Sequence, residues 1–203
     1  MKMTESAVKK ALRLGASEAE VYVQKARTVH VEFTEHIESF KAVESVGMGL
    51  RVALGKKVAM CSTSILNPRE VDEVASKAVK IARVAPEDSN WKHVNRKFGK
   101  APAEGYYDSA LANLDYERIV EKLKASAKLI TDYDRRVKPT RGLLTIVTSD
   151  VSVANGYGDR AERTESSVRV WIRTKATESG MESTWSERQE AKFWKEMRFE
   201  DLA

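Results

Sequence analysis

Apolar residues follow two different periods along the chain, and the change between them predicts the order of helices and strands. Helical spacing comes first, between a predicted N-cap at Thr4 and Gly15, which can adopt the left-handed conformation that ends a helix. The period then changes to two over residues 19–23 and 29–33, which predicts half-buried strands. The interruption at residues 25–28 fits either a hairpin turn or a bulge in one long strand.

Strand signals continue as far as Thr63, and a strongly marked helix follows them. Further strands are predicted at residues 37–42, 50–54 and 58–63. A hairpin turn is expected at Gly55, and Asn67, Pro68 and Glu70 have the spacing of a helix N-terminus with its cap and first turn. This part of the chain therefore predicts an antiparallel sheet with two helices packed on one face.

The middle of the chain carries fewer periodic signals. Residues 85–113 contain Pro86 and Pro102 and show no sustained period, which predicts a connector. A helix capped by Asp115 is expected to run to about Asp132. Strand patterns return at residues 143–148, 151–154, 168–174 and 181–186, with a turn at 155–158. The charged tail from residue 188 is predicted to be helical.

These elements predict an α+β fold, in which a helix-flanked antiparallel sheet is followed by a second helix-plus-β-sheet unit. The predicted domains are an N-terminal α+β domain at residues 1–84, a connector at 85–113 and a middle β-rich domain at 114–203. The end of the sequence carries no Gly or Pro stop signal. We therefore expect the chain to be truncated before a further, C-terminal domain.

Composition excludes several classes of protein. Hydrophobic residues make up 42% of the 203 residues, which is enough to form a core and argues against disorder. No apolar run approaches the roughly 18 to 20 residues that cross a bilayer, and the start of the chain lacks a signal-peptide pattern. The one cysteine, Cys61, cannot form an internal disulfide. We expect a globular cytoplasmic protein.

The net charge of +5 is the difference between 35 basic and 30 acidic side chains, which is typical of a mixed surface. Two basic clusters keep a nucleic-acid or DNA-gyrase-associated binding module open as an alternative function. The first cluster contains Lys92, His93, Arg96, Lys97 and Lys100, and the second contains Arg135, Arg136, Lys138 and Arg141. Trp91 and Phe98 interleave the first cluster and could stack on bases.

Candidate catalytic and metal-binding residues are few. His30 and His36 would stand about 20 Å apart on a straight strand at roughly 3.3 Å per residue, too far to share one zinc ion. His93 is the third histidine, and no Cys-x-x-Cys or zinc-helix motif accompanies these residues. Cys61 lies in a predicted strand, where a small buried role is expected, and no serine occupies a Gly-x-Ser-x-Gly elbow. We predict no catalytic and no metal-binding residue in this chain.

The two glycines of Gly47-Met48-Gly49 invite comparison with a phosphate-binding loop. Such a loop needs a strand before it and a helix after it, so that helix amides face the anion. Here a strand pattern follows instead. The glycines therefore predict a bulge or the tight start of a strand, and no cofactor-binding residue is assigned.

The order of several short motifs resembles the N-terminal region of the TldD/PmbA family. These motifs are Ala19–Val23, Ser45–Val52, Gly55–Lys57, Ser62–Ser64, the helix Glu70–Ala82 and the link from Ile81 to Trp91. The family's middle segment is similar to residues 151–158, where Asn155 and Gly158 match its Asn-Ser-x-Gly turn, and to residues 180–183. The resemblance covers nearly the whole chain, and its specificity comes from the order of the motifs.

The resemblance implies a protease assembly of two subunits. In this family TldD binds zinc through a His-Glu-x-x-x-His helix, and TldE, also called PmbA and labelled a modulator of DNA gyrase, lacks that helix and completes the chamber. The substrates are unfolded peptides. Family members are about twice as long as this chain, and their zinc helix would follow its last residue.

For this chain the resemblance implies the N-terminal part of a TldD/TldE-like metallopeptidase subunit, which provides structure, subunit contacts and walls of a peptide channel. Gly49 and Arg51 match a family strand motif that has no assigned function. The expected partners are a TldD- or TldE-like subunit and an unfolded peptide, and zinc is expected only in the full-length protein. The chain alone is predicted to be inactive. We expect peptide to bind by strand addition at Val29–Phe33 or Val168–Thr174.

Overall fold

The computed structural model describes residues 2–100 and 104–202, so Pro102 of the predicted connector lies outside the described residues. The helices in this part of the chain are α1 (Lys2–Arg13), α2 (Pro68–Val84), α3 (Ser109–Ala112) and α4 (Tyr116–Tyr133). The strands are β1 (Glu18–Phe33), β2 (Ile37–Leu54), β3 (Lys57–Thr63), β4 (Val137–Asn155), β5 (Arg160–Glu178) and β6 (Met181–Ala191). Two 3₁₀ turns follow at Trp194–Glu196 and Phe199–Leu202.

The six strands form one sheet in the order β3-β2-β1-β4-β5-β6, which confirms the predicted α+β class. The pairs β2–β3 and β5–β6 are antiparallel hairpins. The β1–β4 pair is the one neighbouring pair that is not consecutive in the chain. Strands β3 and β6 form the two edges, so the segments Val29–Phe33 and Val168–Thr174 lie in interior strands and the prediction of exposed edges there is wrong.

The strands are longer than their hydrophobic patterns predicted. Strand β1 runs without interruption through residues 25–28, so neither a hairpin turn nor a chain reversal occurs there. Arg27 breaks the alternation of apolar residues, and its guanidinium donates hydrogen bonds to the carbonyl of Ala112 and to the hydroxyl of Tyr116. A polar side chain can occupy this position because its donors are satisfied.

Local signals at helix ends were mostly predicted correctly. Asn67 caps α2, and its Oδ1 accepts a hydrogen bond of 2.9 Å from the amide of Glu70. Gly15 follows α1 with φ of 102°, as its predicted left-handed conformation requires. The cap at Thr4 was wrong, because α1 already begins at Lys2 and Thr4 is buried within its first turn.

The second half contains one confirmed helix and two corrections. Asp115 caps α4 by accepting a hydrogen bond of 3.0 Å from the amide of Glu117. The short helix α3 was not predicted; Asp108 caps it and also accepts a hydrogen bond of 2.7 Å from the amide of Trp194. The predicted helix from residue 188 is wrong, because β6 continues to Ala191 and is followed by the two 3₁₀ turns.

The chain divides into two compact units that interleave along the sequence. Unit 1 comprises residues 1–26, 45–103 and 149–164, and unit 2 comprises residues 27–44, 104–148 and 165–203. Each unit combines parts of long strands with its own helices. The predicted sequential domains, 1–84, 85–113 and 114–203, are a different partition and stay a prediction.

Each unit has its own hydrophobic core. In unit 1, helices α1 and α2 pack on alternate residues of the strands. The unit 1 core includes Val8, Ala11, Val21, Val23, Leu50, Val52, Val71, Val74 and Ala78. In unit 2, α4 and the 3₁₀ turns contribute to the core, which includes Val31, Phe33, Ile119, Leu123, Leu144, Val170, Ile172, Trp194 and Phe199. No helix among the described residues is long and apolar enough to cross a bilayer.

Gly142 has a packing requirement that its sequence neighbourhood does not reveal. A Cβ at this position would overlap the ring of Phe33, which is almost fully buried. An aromatic ring lying directly against a strand glycine covers backbone that would otherwise be bare. The unit 2 core therefore depends on the absence of a side chain at residue 142.

We predict that Gly142→Ala lowers the free energy of unfolding by about 1 to 3 kcal/mol, because the new methyl group overpacks the core against Phe33. Chemical denaturation monitored by circular dichroism measures the change. The matched control is the double variant Gly142→Ala with Phe33→Leu, in which the smaller side chain makes room. If the two substitutions are strictly additive, they do not share this contact and the explanation fails.

Candidate functional site

The open face of the unit 1 strands carries a broad groove, which we call the sheet groove. Side chains alternate between the two faces of each strand. Core residues such as Val21 and Val52 face helices α1 and α2, and the residues next to them, such as Tyr22 and Arg51, face the groove. The groove has a volume of about 1080 Å³. Its lining is Glu20, Tyr22, Gln24, Ser45, Val46, Gly47, Met48, Gly49, Arg51, Met60, Ser62, Thr63, Ser64, Phe98 and Val153.

Strands β2 and β3 set the floor of the groove through their register. Gly49 pairs with Ser62, and Arg51 pairs with Met60. The Met60 side chain lies over Gly49, since a Cβ there would stand 2.8 Å from Met60 Cε. Both Gly47 and Gly49 lie inside the continuous strand β2, so the predicted strand start at this point is wrong.

The charges that line the sheet groove balance one another. Arg51 Nη1 lies 3.9 Å from Glu20 Oε1, and these are the one basic and the one acidic side chain in the lining. The Arg51 side chain is 46% exposed, so the pair contributes little to stability. The remaining polar groups are hydroxyls and one amide, and Tyr22 and Met60 add exposed apolar surface. The groove can therefore bind neutral hydrogen-bonding groups and apolar side chains.

One buried amide attaches the connector to the sheet of unit 1. Asn155 Nδ2 donates hydrogen bonds to the carbonyls of Asn95, at 2.7 Å, and Arg96, at 3.2 Å. Its Oδ1 accepts hydrogen bonds of 3.0 Å from the amides of Tyr157 and Asp159. The side chain is only 5% exposed, so all four bonds are made away from water. The residue that matched the family turn thus holds two segments together.

The same attachment positions Phe98 in the groove wall. Asp159 Oδ2 accepts a hydrogen bond of 2.7 Å from the Phe98 amide, and Phe98 lines the groove. The Tyr157 hydroxyl donates to Glu18, which raises the pKa of Tyr157 above its usual value because the carboxylate holds the phenolic proton. The guanidinium of Arg96 lies 5.4 Å from the centre of the Tyr157 ring.

The two basic clusters differ in how their charges are compensated. In the second cluster, Arg136 contacts Asp134 at 2.6 Å and Glu178 at 2.8 Å. The hydrogen bonds from Arg136 lower the pKa of Asp134 to about 2. Lys138 lies 3.9 Å from Glu35. This cluster is therefore partly neutralised by its own neighbours.

The first cluster keeps exposed cationic side chains, but its aromatic residues do not form a stacking surface. Trp91 and Phe98 are both half-buried, and Phe98 lines the sheet groove. Stacking of successive bases requires exposed ring faces next to the cations. The observed arrangement gives the nucleic-acid alternative no additional support.

The histidines and the cysteine have ordinary structural surroundings. His30 lies on β1 and His36 lies in the tight turn at residues 34–36, so the two are not on one straight strand and the predicted separation was wrong. His30 Nδ1 lies 3.2 Å from Thr145 Oγ1, and His93 Nδ1 lies 2.7 Å from the carbonyl oxygen of Val94. Cys61 is half-buried against the unit 1 core.

Metal-binding groups of three or more His, Cys, Asp or Glu side chains do not occur among the described residues. Sequence reasoning also assigned no residues to the sheet groove. The sequence feature that could have identified the groove residues is the polar residue adjacent to each core residue in β1, β2 and β3. Examples are Glu20 next to Val21 and Ser62 next to Cys61. Such residues become a site only when three strands bring them onto one face.

We predict that Asn155→Ala lowers the free energy of unfolding by about 2 to 3 kcal/mol, because it removes the four hydrogen bonds that this buried amide makes. Amide hydrogen exchange should become faster at residues 92–98, which lose their attachment. Asn113→Ala is the control, since this exposed amide makes one hydrogen bond, to Ser109, within its own turn. Unchanged exchange in Asn155→Ala would contradict the proposed attachment.

Comparisons with known proteins agree with this architecture. The family model of PmbA/TldA metallopeptidase domain 1 matches residues 19–82. No curated protein sequence matches the chain. Among solved structures, TldE from Thermococcus kodakarensis has a TM-score of 0.85 at 16% identity, over 94% of this chain and 43% of that protein.

Two further solved structures share the fold, and both are candidate modulators of DNA gyrase. The protein from Bacteroides thetaiotaomicron has a TM-score of 0.87 at 16% identity, over 99% of this chain and 47% of that protein. The protein from Thermotoga maritima has a TM-score of 0.78 at 13% identity, over 99% of this chain and 45% of that protein. The chain spans less than half the length of each of these three proteins. The family model over residues 19–82 and the fold shared along nearly the whole chain confirm the resemblance to the PmbA/TldD family.

Proposed function

We propose that this chain is the N-terminal part of a TldD/TldE-type metallopeptidase subunit, and that its sheet groove forms part of the wall of a channel for unfolded peptides. The observation that carries the proposal is the groove itself, which is open, balanced in charge and bordered by the edge strand β3. Its floor is built from β1, β2 and β3, and the residues 19–82 matched by the family model include most of these strands.

The chemistry of the groove suits an extended polypeptide. Peptide groups are neutral donors and acceptors, and Ser62 on β3 and Ser64 directly after it present hydroxyls that can bond to them. The outer edge of β3 provides unpaired backbone groups for strand addition, in place of the interior segments predicted above. A polyanion would find one arginine in the lining, and its charge is already balanced by Glu20.

The described residues do not fit a catalytic zinc site. Such a site needs three protein ligands that converge on one ion, and no such group occurs among them. We therefore assign no catalytic step to these residues. The proposed role is to bind and orient the peptide, while zinc and the residues that hold it would belong to another part of the assembled enzyme, completed by a TldD- or TldE-like partner.

We predict that the 203-residue chain alone does not cleave peptides and binds no stoichiometric zinc. Activity should require a longer protein that carries the metal site, or the addition of a partner subunit. A fluorogenic peptide assay, combined with metal analysis of untagged protein, measures both properties. Chelator-sensitive cleavage by the 203-residue chain would contradict the assignment of catalysis to another part of the enzyme.

We also predict that the chain binds an unfolded peptide through its backbone at the β3 edge. Along an extended peptide, alternate residues direct their N–H groups toward a neighbouring strand. Peptides N-methylated at odd positions and at even positions form a matched pair for fluorescence anisotropy. One series should lose binding and the other should retain it.

Equal binding by both methylated series and the parent peptide would rule out strand addition. Binding to nucleic acid measured in parallel tests the alternative function. Phosphate contacts weaken steeply with salt, so tight, sequence-selective binding at about 200 mM salt would favour the nucleic-acid module instead.

A further inference from the structure

Gly47 is a strand glycine that neither the backbone conformation nor the packing of the described residues requires. Of the ten glycines, six have positive φ, at residues 15, 55, 99, 105, 158 and 180. Of the other four, Gly142 meets the buried ring of Phe33, Gly49 meets the flexible end of Met60, and Gly156 makes ordinary contact with Leu12. At Gly47 φ is not in the left-handed region, and an added Cβ would meet no atom within 4 Å.

A glycine inside a strand is destabilising, and no contact or backbone conformation of the described residues requires one at this position. Glycine in a strand interior is less favourable than alanine, because it loses more conformational freedom on folding. Strand glycines often mark places where a ligand or another backbone approaches closely. Gly47 lies in the interior of β2 and lines the sheet groove. The open space above it is therefore part of the candidate site.

We infer that the segment of a bound polypeptide that crosses the sheet groove, as distinct from a segment paired with the β3 edge, lies against the bare floor at Gly47, and that Gly47 determines the size of the side chain accepted there. This inference rests on the proposed function and adds a specificity-determining residue to it. Gly47 acts by leaving space, because any side chain would project from β2 into the groove.

The lining identifies the occupant as a neutral, extended polypeptide. Ser62 on β3 and Ser64 in the bend directly after it present hydroxyls that can bond to neutral peptide groups. Arg51 and Glu20 compensate each other, so the groove does not select for a charged ligand. A nucleic acid would instead require uncompensated cations along its phosphates.

Met60 makes the wall beside this floor adaptable. Its side chain is 62% exposed, and its terminal methyl group lies over Gly49. Methionine has three rotatable bonds and a polarisable sulfur, which suits it to binding surfaces that accept different side chains. With a movable Met60 above Gly49 and empty space above Gly47, the groove accepts large and small residues at this position.

The test measures peptide affinity for wild type, Gly47→Ala, Gly47→Val and the control Ala42→Val. Ala42 is exposed on the same strand and does not line the groove, so its substitution adds a β-branched side chain to β2 without filling the site. The probes are neutral labelled peptides that differ only in a central Gly, Leu or Phe. Thermal melts establish that every variant is folded, and Gly47→Ala provides a smaller change if Gly47→Val loses stability.

We expect Gly47→Val to weaken binding of the Leu and Phe peptides about tenfold, and to weaken the Gly peptide much less. Ala42→Val should bind all three peptides as wild type does. Unchanged affinity of both Gly47 variants for the large peptides, or equal weakening for all three, would overturn the role of Gly47 and leave the proposed function standing. A wild-type chain that binds none of these peptides would overturn both.

Discussion

The two-residue period of the β-strands is the constraint on which the candidate site depends. Because successive side chains point to opposite faces, burying Val21 and Val23 under helices α1 and α2 places Tyr22 and its even-numbered neighbours on the other face. A shift of one residue in register would move every core residue of a strand into water. The core that stabilises unit 1 therefore also determines which residues line the sheet groove.

A few buried polar contacts complete the wall of the groove. The connector that contains Phe98 has no helix or strand of its own between residues 91 and 100, so its position depends on Asn155 and Asp159. Such contacts contribute modestly when they are made, and they are costly when one partner is removed. The turn at residues 155–158 is in this sense a structural part of the site, because Asn155 Oδ1 also accepts a hydrogen bond from the amide of Asp159.

The comparisons show how far sequence can diverge while the architecture persists. Identities of 13% to 16% accompany TM-scores of 0.78 to 0.87. Hydrophobic residues of similar size can replace one another when the pattern of buried positions is kept, so most side chains are free to change. For the same reason, a shared fold does not show that a residue has the same role in two proteins. The roles proposed for Gly47 and Met60 rest on the surroundings of these residues in this chain.

The amino-acid sequence by itself determined the features that depend on near neighbours in the chain. The cap at Asn67, the cap at Asp115 and the turn at Gly55 involve groups within a few residues of one another, so their types and spacing were sufficient to predict them. The order of motifs also led to the family whose first-domain model matches residues 19–82, because order along the chain is itself a property of sequence.

Only the tertiary structure decided the features that join distant residues. Strand β1 continues through Arg27 because its guanidinium donates hydrogen bonds to groups more than 80 residues away. A local sequence pattern gives no information about those groups. The edges of the sheet depend on which strands pair, and the fit of Gly142 against Phe33 depends on a neighbour in another strand. The sheet groove likewise exists only where β1, β2 and β3 lie side by side, because each strand alone contributes no more than a row of alternating polar residues.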